Sequence, residues 1–192
     1  MERQTNQDDL FDSIVKQVAD GASIMCSFPR RAGKTHLVVR LLEEALSDNK
    51  VVLLTPQKVQ GQEVCCHLGQ KVENKTFRSS VALRGRADID CLIIEELHGN
   101  VKQDQLQETM STIKGLEAYG CQLVFVFSPF EYDSRNPHPL KVLWDIAPYY
   151  KYQLSTGSID RLSASYNQSQ KHKGDFIDPY FQTEIEGNWV VR

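Results

Sequence analysis

Ser27-Phe28-Pro29-Arg30-Arg31-Ala32-Gly33-Lys34-Thr35 stands between a short apolar run, Ala22 to Cys26, and a run with helical spacing, His36 to Leu46. That order predicts a strand, a tight loop and a helix start. Gly-Lys-Thr at such a junction has the chemistry of a phosphate cradle. Backbone N–H groups at a helix N-terminus face the anion, the lysine reaches the terminal phosphates, and the hydroxyl ligates magnesium. The usual loop opens with a glycine five residues before Gly33, where this chain has Phe28, followed by Pro29 and two arginines. Taken alone, the triplet is also compatible with an exposed helix start on an ordinary α/β domain.

A second signal lies some sixty residues downstream, where the apolar run Ile89 to Ile94 ends in Glu95-Glu96. Adjacent carboxylates at a strand tip can divide labour, one facing a magnesium shell and the next polarising a water. The alternative is a solvated acidic turn. Both features fall at C-terminal strand ends, where open parallel sheets bind ligands. Phosphoryl transfer also needs positive charge near the transferring group, and Arg30 and Arg31 lie inside the loop itself, next to the stiff Pro29. Either arginine is equally compatible with a solvent-facing role.

The rest of the chain supplies a scaffold for these sites. Leu10, Phe11, Ile14, Val15 and Val18 form the apolar stripe of a helix within Asn6 to Asp20. Lys50 to Thr55, ended by Pro56, Ile89 to Ile94 and Cys121 to Phe127 read as strands buried on both faces. Helices are expected at Gln57 to Leu68, Gln103 to Tyr119 and Leu140 to Ile146, with strands at Lys75 to Arg78 and Tyr149 to Leu154. Arg84-Gly85-Arg86 reads as a turn and Glu131 to Pro139 as a loop. The alternation predicts an α/β sandwich with a mostly parallel sheet. Residues 1–154 form the expected core, and the Ser-, Gln-, Asn- and Lys-rich segment 155–192 a polar lid or linker, with a last helix over Asp178 to Glu186.

With 192 residues, 41% of them hydrophobic, the chain suits one soluble domain. Twenty-two basic and 25 acidic residues give a formal charge of −3, so any nucleic-acid contact must be local. Cys26, Cys91 and Cys121 lie in apolar runs, as reduced thiols of an intracellular protein would, and Cys65-Cys66-His67 lacks metal-ligand spacing. The longest apolar runs are too short to span a bilayer, and no membrane partner is expected.

The loop Phe28 to Thr35, with arginine three residues before its glycine, resembles the Walker A variant of the large terminase subunits that package DNA into tailed-phage and herpesvirus capsids. Val51 to Gln57 is similar to their next strand-to-helix segment, Arg84 to Glu96 to their glycine-arginine turn running into Walker B, and Phe127-Ser128-Pro129 to their coupling motif. The resemblance covers roughly residues 7 to 130. It implies a P-loop NTPase of the RecA-like, ASCE class, a three-layer sandwich that binds ATP and Mg2+ and hydrolyses ATP to move double-stranded DNA. Pro29, Arg30, Arg31, Ala32, Gly33, Lys34 and Thr35 would then form the nucleotide cradle, with Thr35 and Glu95 on the metal. Glu96 would be the catalytic carboxylate, Arg30 a cis arginine and Ser128 the coupling residue.

Glu95 stands where the family has aspartate, and Gln7 or Gln4 lies in the region of an adenine-reading glutamine. Arg84, Arg86 and Arg135 are candidates for a trans arginine or a DNA contact. The implied partners are double-stranded DNA, a portal protein, a small terminase subunit and further copies in a ring. The implied setting is a virus-encoded protein inside its host, in bacterial cytoplasm or a eukaryotic nucleus. Two alternatives stand beside this one: a helicase-like superfamily-1 or superfamily-2 ATPase fragment, and a nucleotide-binding scaffold with weak turnover. Family members normally also carry a metal-dependent nuclease domain, so the chain is expected to be either an excised motor domain or a short ATPase whose nuclease lies elsewhere.

Overall fold

Apolar runs without alternation need a cover on both sheet faces, and the computed structural model shows what supplies it. It describes residues 7–68, 72–98, 101–154 and 190–191, with backbone alone at 63, 66–68 and 190–191. Gln4, most of the expected polar lid or linker and the expected helix at Asp178 to Glu186 lie outside the described residues, as do the Cys66 and His67 side chains.

The elements are α1 (Gln7–Ala19), β1 (Ile24–Ser27), α2 (Lys34–Arg40), β2 (Val51–Thr55), α3 (Lys58–Leu68), β3 (Glu73–Thr76), β4 (Cys91–Glu95), α4 (Gln103–Ala118), β5 (Gln122–Phe127), β6 (Glu131–Tyr132), α5 (Pro139–Ile146), β7 (Tyr150–Gln153) and β8 (Val190–Val191). A wide turn at Leu41–Ala45 extends α2, and a 3-10 helix fills Phe77–Leu83. Six strands form one parallel sheet in the order β3-β2-β4-β5-β1-β7. Side chains alternate between its two covers. Cys26, Leu53, Ile93 and Val126 meet α1, α2 and α3, whereas Met25, Leu54, Ile94 and Phe125 meet α4, α5 and the 3-10 helix. The result is the expected three-layer α/β sandwich around a parallel sheet.

Two expectations shift. The strand expected at Lys75 to Arg78 ends at Thr76, as β3, and Phe77 begins the 3-10 helix. The cause is local: Thr76 and Ser79 form a capping box that turns the chain. The expected loop after β5 contains β6, which pairs in parallel with β8. Cys26, Cys91 and Cys121 are free and buried, and burial pushes each thiol up. Among the described residues no helix is long and apolar enough to cross a membrane.

Candidate active site

Sheet order explains what meets at the C-terminal edge. The strand carrying the loop, β1, and the strand carrying Glu95, β4, flank β5, with Ser27 in register with Phe127 and Glu95 with Val126. Neighbouring strands lie about 4.8 Å apart, so the outer two are about 10 Å apart and only long side chains close the gap. Ser128, the residue after β5, therefore sits between them. Lys34 Nζ donates to Ser128 Oγ at 2.9 Å and stands 3.4 Å from Glu96 Oε1. Ser128 donates its backbone N–H to Glu96 Oε2 at 3.0 Å and its hydroxyl to Glu96 Oε1 at 3.2 Å. Lys34 also donates to the carbonyls of Phe28 (3.2 Å) and Pro29 (3.0 Å).

The loop owes its shape to two left-handed residues, Arg31 at φ 60° and Gly33 at φ 73°. Alternating backbone handedness turns successive N–H groups inward as an anion-binding concavity. Phe28, standing where the usual glycine would be, is fully buried and stacks on Phe11 of α1 with ring centroids 5.9 Å apart. Gln7, on the same helix, donates to the Ala32 carbonyl at 3.0 Å. A side chain at position 33 would meet Gln7 Nε2 at 3.1 Å and the Phe11 ring at 3.4 Å, so glycine here also permits the close approach of α1. The missing glycine is replaced by an aromatic anchor.

Arg30 and Arg31 are exposed and line a cavity of about 590 Å³ with Lys34, Glu96 and Ser128. Thr35 is exposed at the head of α2. Glu95, by strand alternation, shares the α2 face with Cys91 and Ile93. Burial, reinforced by the charge of Glu96, pushes its carboxyl up to about 7 against an opposing pull from Lys34. Among the described residues no three His, Cys, Asp or Glu side chains cluster as a metal cage. Magnesium does not require one, since it keeps waters and shares substrate phosphates with one or two protein oxygens. The hydroxyl of Thr35 and the carboxyl of Glu95 fit that donor set.

Glu96 itself is left-handed, at φ 50°, an unusual state for a residue with a side chain. Its backbone N–H stays on the sheet, donating to Val126 O at 3.0 Å, while the carboxylate turns to Ser128. His98 completes the arrangement and was not singled out from sequence. Its Nε2 lies 3.4 Å from Glu96 Oε2, and its ring stacks on Phe130 at 4.8 Å and meets Phe127 edge-on. Burial lowers its pKa, so it faces the carboxylate as a neutral ring, and its buried Nδ1 has no partner among the described residues. The available signal was a histidine two residues past Glu96 at a strand end. Phe130 passes the contact on to His138, which caps α5 by accepting from Leu140 N–H.

The other candidate arginines lie elsewhere. Arg84 pairs with Glu108, and Arg86 with Glu73 and Asp88. Arg135 is exposed in the segment after β6.

No protein-family model and no curated protein matches the chain. Among solved structures it is similar to the large terminase of a thermophilic bacteriophage. One crystal form aligns with TM-score 0.67 at 14% identity, covering 94% of this chain and 53% of the terminase. A second gives 0.60 at 14%, covering 92% and 52%. The same terminase in complex with ADP gives 0.59 at 14%, covering 90% and 49%. The chain thus spans about half the length of these terminases. At this identity the likeness shows the shared fold alone.

Proposed function

We propose that the chain is an ATPase motor domain that couples ATP hydrolysis to movement of double-stranded DNA, as in packaging of a viral genome. One observation carries the reading: a carboxylate at the tip of β4, held by Ser128 and within 3.4 Å of the loop lysine. In this role the loop N–H groups and Lys34 bind the triphosphate, Lys34 exchanging neutral carbonyl acceptors for charged phosphate oxygens. Thr35 and Glu95 would hold the magnesium, whose charge offsets that of the phosphate oxygens. Glu96 orients and deprotonates the attacking water, Arg30 stabilises charge on the transferring group, and Ser128 links both to β5. Gln7, bonded to the loop at the Ala32 carbonyl, would read the base.

The fold shared with phage terminases and the Walker-like stretches support packaging as the process. A portal protein, a small terminase subunit and a ring of further copies belong to the same proposal. Its test is ATP turnover with and without duplex DNA. Turnover raised by the duplex and lost in Lys34→Ala is expected; turnover indifferent to DNA would remove the motor role. Glu95 favours a second reading, a nucleotide-binding scaffold with weak turnover, because a carboxyl raised to about 7 is half-protonated near neutrality and a poor metal ligand. Magnesium-dependent turnover at neutral pH would exclude it.

A further inference from the structure

Beside the nucleotide cavity, a groove of about 830 Å³ crosses the same sheet edge over the ends of β2, β3 and β4. Arg30, Gln57, Gln60, Arg78, Lys102 and Gln105 line it with donors. Elsewhere the arginines Arg40, Arg84 and Arg86 are matched with carboxylates. Arg78 and Lys102 are exposed and make no ion pair among the described residues, and the amides of Gln57, Gln60 and Gln105 make no side-chain hydrogen bond there. Asp104 and Glu108 border the outer end, but Glu108 is engaged by Arg84. The 16-residue helix α4 also opens here without a side-chain cap.

Donors of this kind contact sugar-phosphate backbones without reading sequence. Proteins that hold unpaired strands add aromatic platforms for the bases. None is offered here: Phe77 is 3% exposed, and the His98 ring is stacked on Phe130. With a chain charge of −3, attraction to a polyanion has to be local, and the groove is local. Arg30, Gln60, Glu96 and His98 line both cavities, so an occupant of the groove would lie beside the catalytic carboxylate itself.

We propose that this groove holds the phosphodiester backbone of a DNA duplex, with Arg78 and Lys102 on phosphate oxygens. The proposal rests on the motor reading and gives it a contact surface. The test is a fluorescence-anisotropy titration of a labelled mixed-sequence duplex with the whole chain, alongside ATP turnover measured without DNA. Arg78→Ala/Lys102→Ala weakens binding about tenfold at about 100 mM salt and reduces the log–log salt slope by about 2. Arg78→Lys/Lys102→Arg stays near wild type, and DNA-free turnover is unchanged in both.

Equal affinity and slope in wild type and the double alanine variant overturn the groove, as does a wild type that binds no duplex or prefers the single strand. A double variant whose main effect is a changed oligomeric state assigns the groove to a second copy and overturns the proposal too. Groove-dependent duplex binding without any ATP turnover leaves the groove standing and removes the ATPase reading.

Discussion

Burial, with the charge of Glu96 beside it, raises the Glu95 carboxyl from 4.5 to about 7, and Lys34 only partly opposes this. The folded chain then keeps a proton that the unfolded chain releases between those values. The contribution to stability is fully present below 4.5 and is lost as pH rises through about 7. In metal-free buffer the urea midpoint should fall across that window, and Glu95→Gln should flatten the slope. The same ionisation makes the carboxylate a better magnesium ligand above neutrality, so metal dependence should sharpen with pH. At His98, whose Nε2 stands 3.4 Å from the Glu96 carboxylate, the expected outcome is that His98→Ala lowers kcat about tenfold with little change in KM. His98→Gln, which keeps an amide donor at the Nε2 position, should recover part of the loss, and equal losses in both variants would make His98 a packing residue only.

Helix α1 serves as the platform for the loop, through Phe11 on Phe28 and Gln7 on Ala32. Phe11→Ala should cost about 3–5 kcal/mol in a denaturant titration and weaken ATP binding, because the cavity opens directly beneath the phosphate cradle. The apolar stripe of α1 and the strands β1, β2, β4 and β5 were legible in the sequence, since continuous apolar runs have one physical use in a covered sheet. Strand β3 lies two residues earlier than its sequence suggests. Glu-Asn-Lys-Thr carries no apolar signal, and an edge strand of that composition is defined by the partner it pairs with, here β2. Strand β6 is invisible for the same reason, because its partner β8 lies far along the chain. Phe28 reads as a departure from the loop pattern, and only the stack on Phe11 gives it a purpose.

At the scale of the whole molecule, strand order decides the site, and apolar runs identify strands without ordering them. Lys34, Glu96 and Ser128 each stand out in the sequence, but their meeting depends on β5 lying between β1 and β4. His98 escapes notice there because its significance comes from a partner two residues away in the chain and a ring, Phe130, on another strand's exit. Ser128→Ala removes two of the hydrogen bonds that join Lys34 to Glu96 across β5, those made by its hydroxyl, and should lower turnover more than ATP affinity. The most direct measurement compares ATP binding and ATP hydrolysis in wild type and Glu96→Gln, with duplex DNA present. Retained binding with hydrolysis reduced by about 10²-fold or more is the expected result, and hydrolysis at the wild-type rate in Glu96→Gln would contradict the site described here.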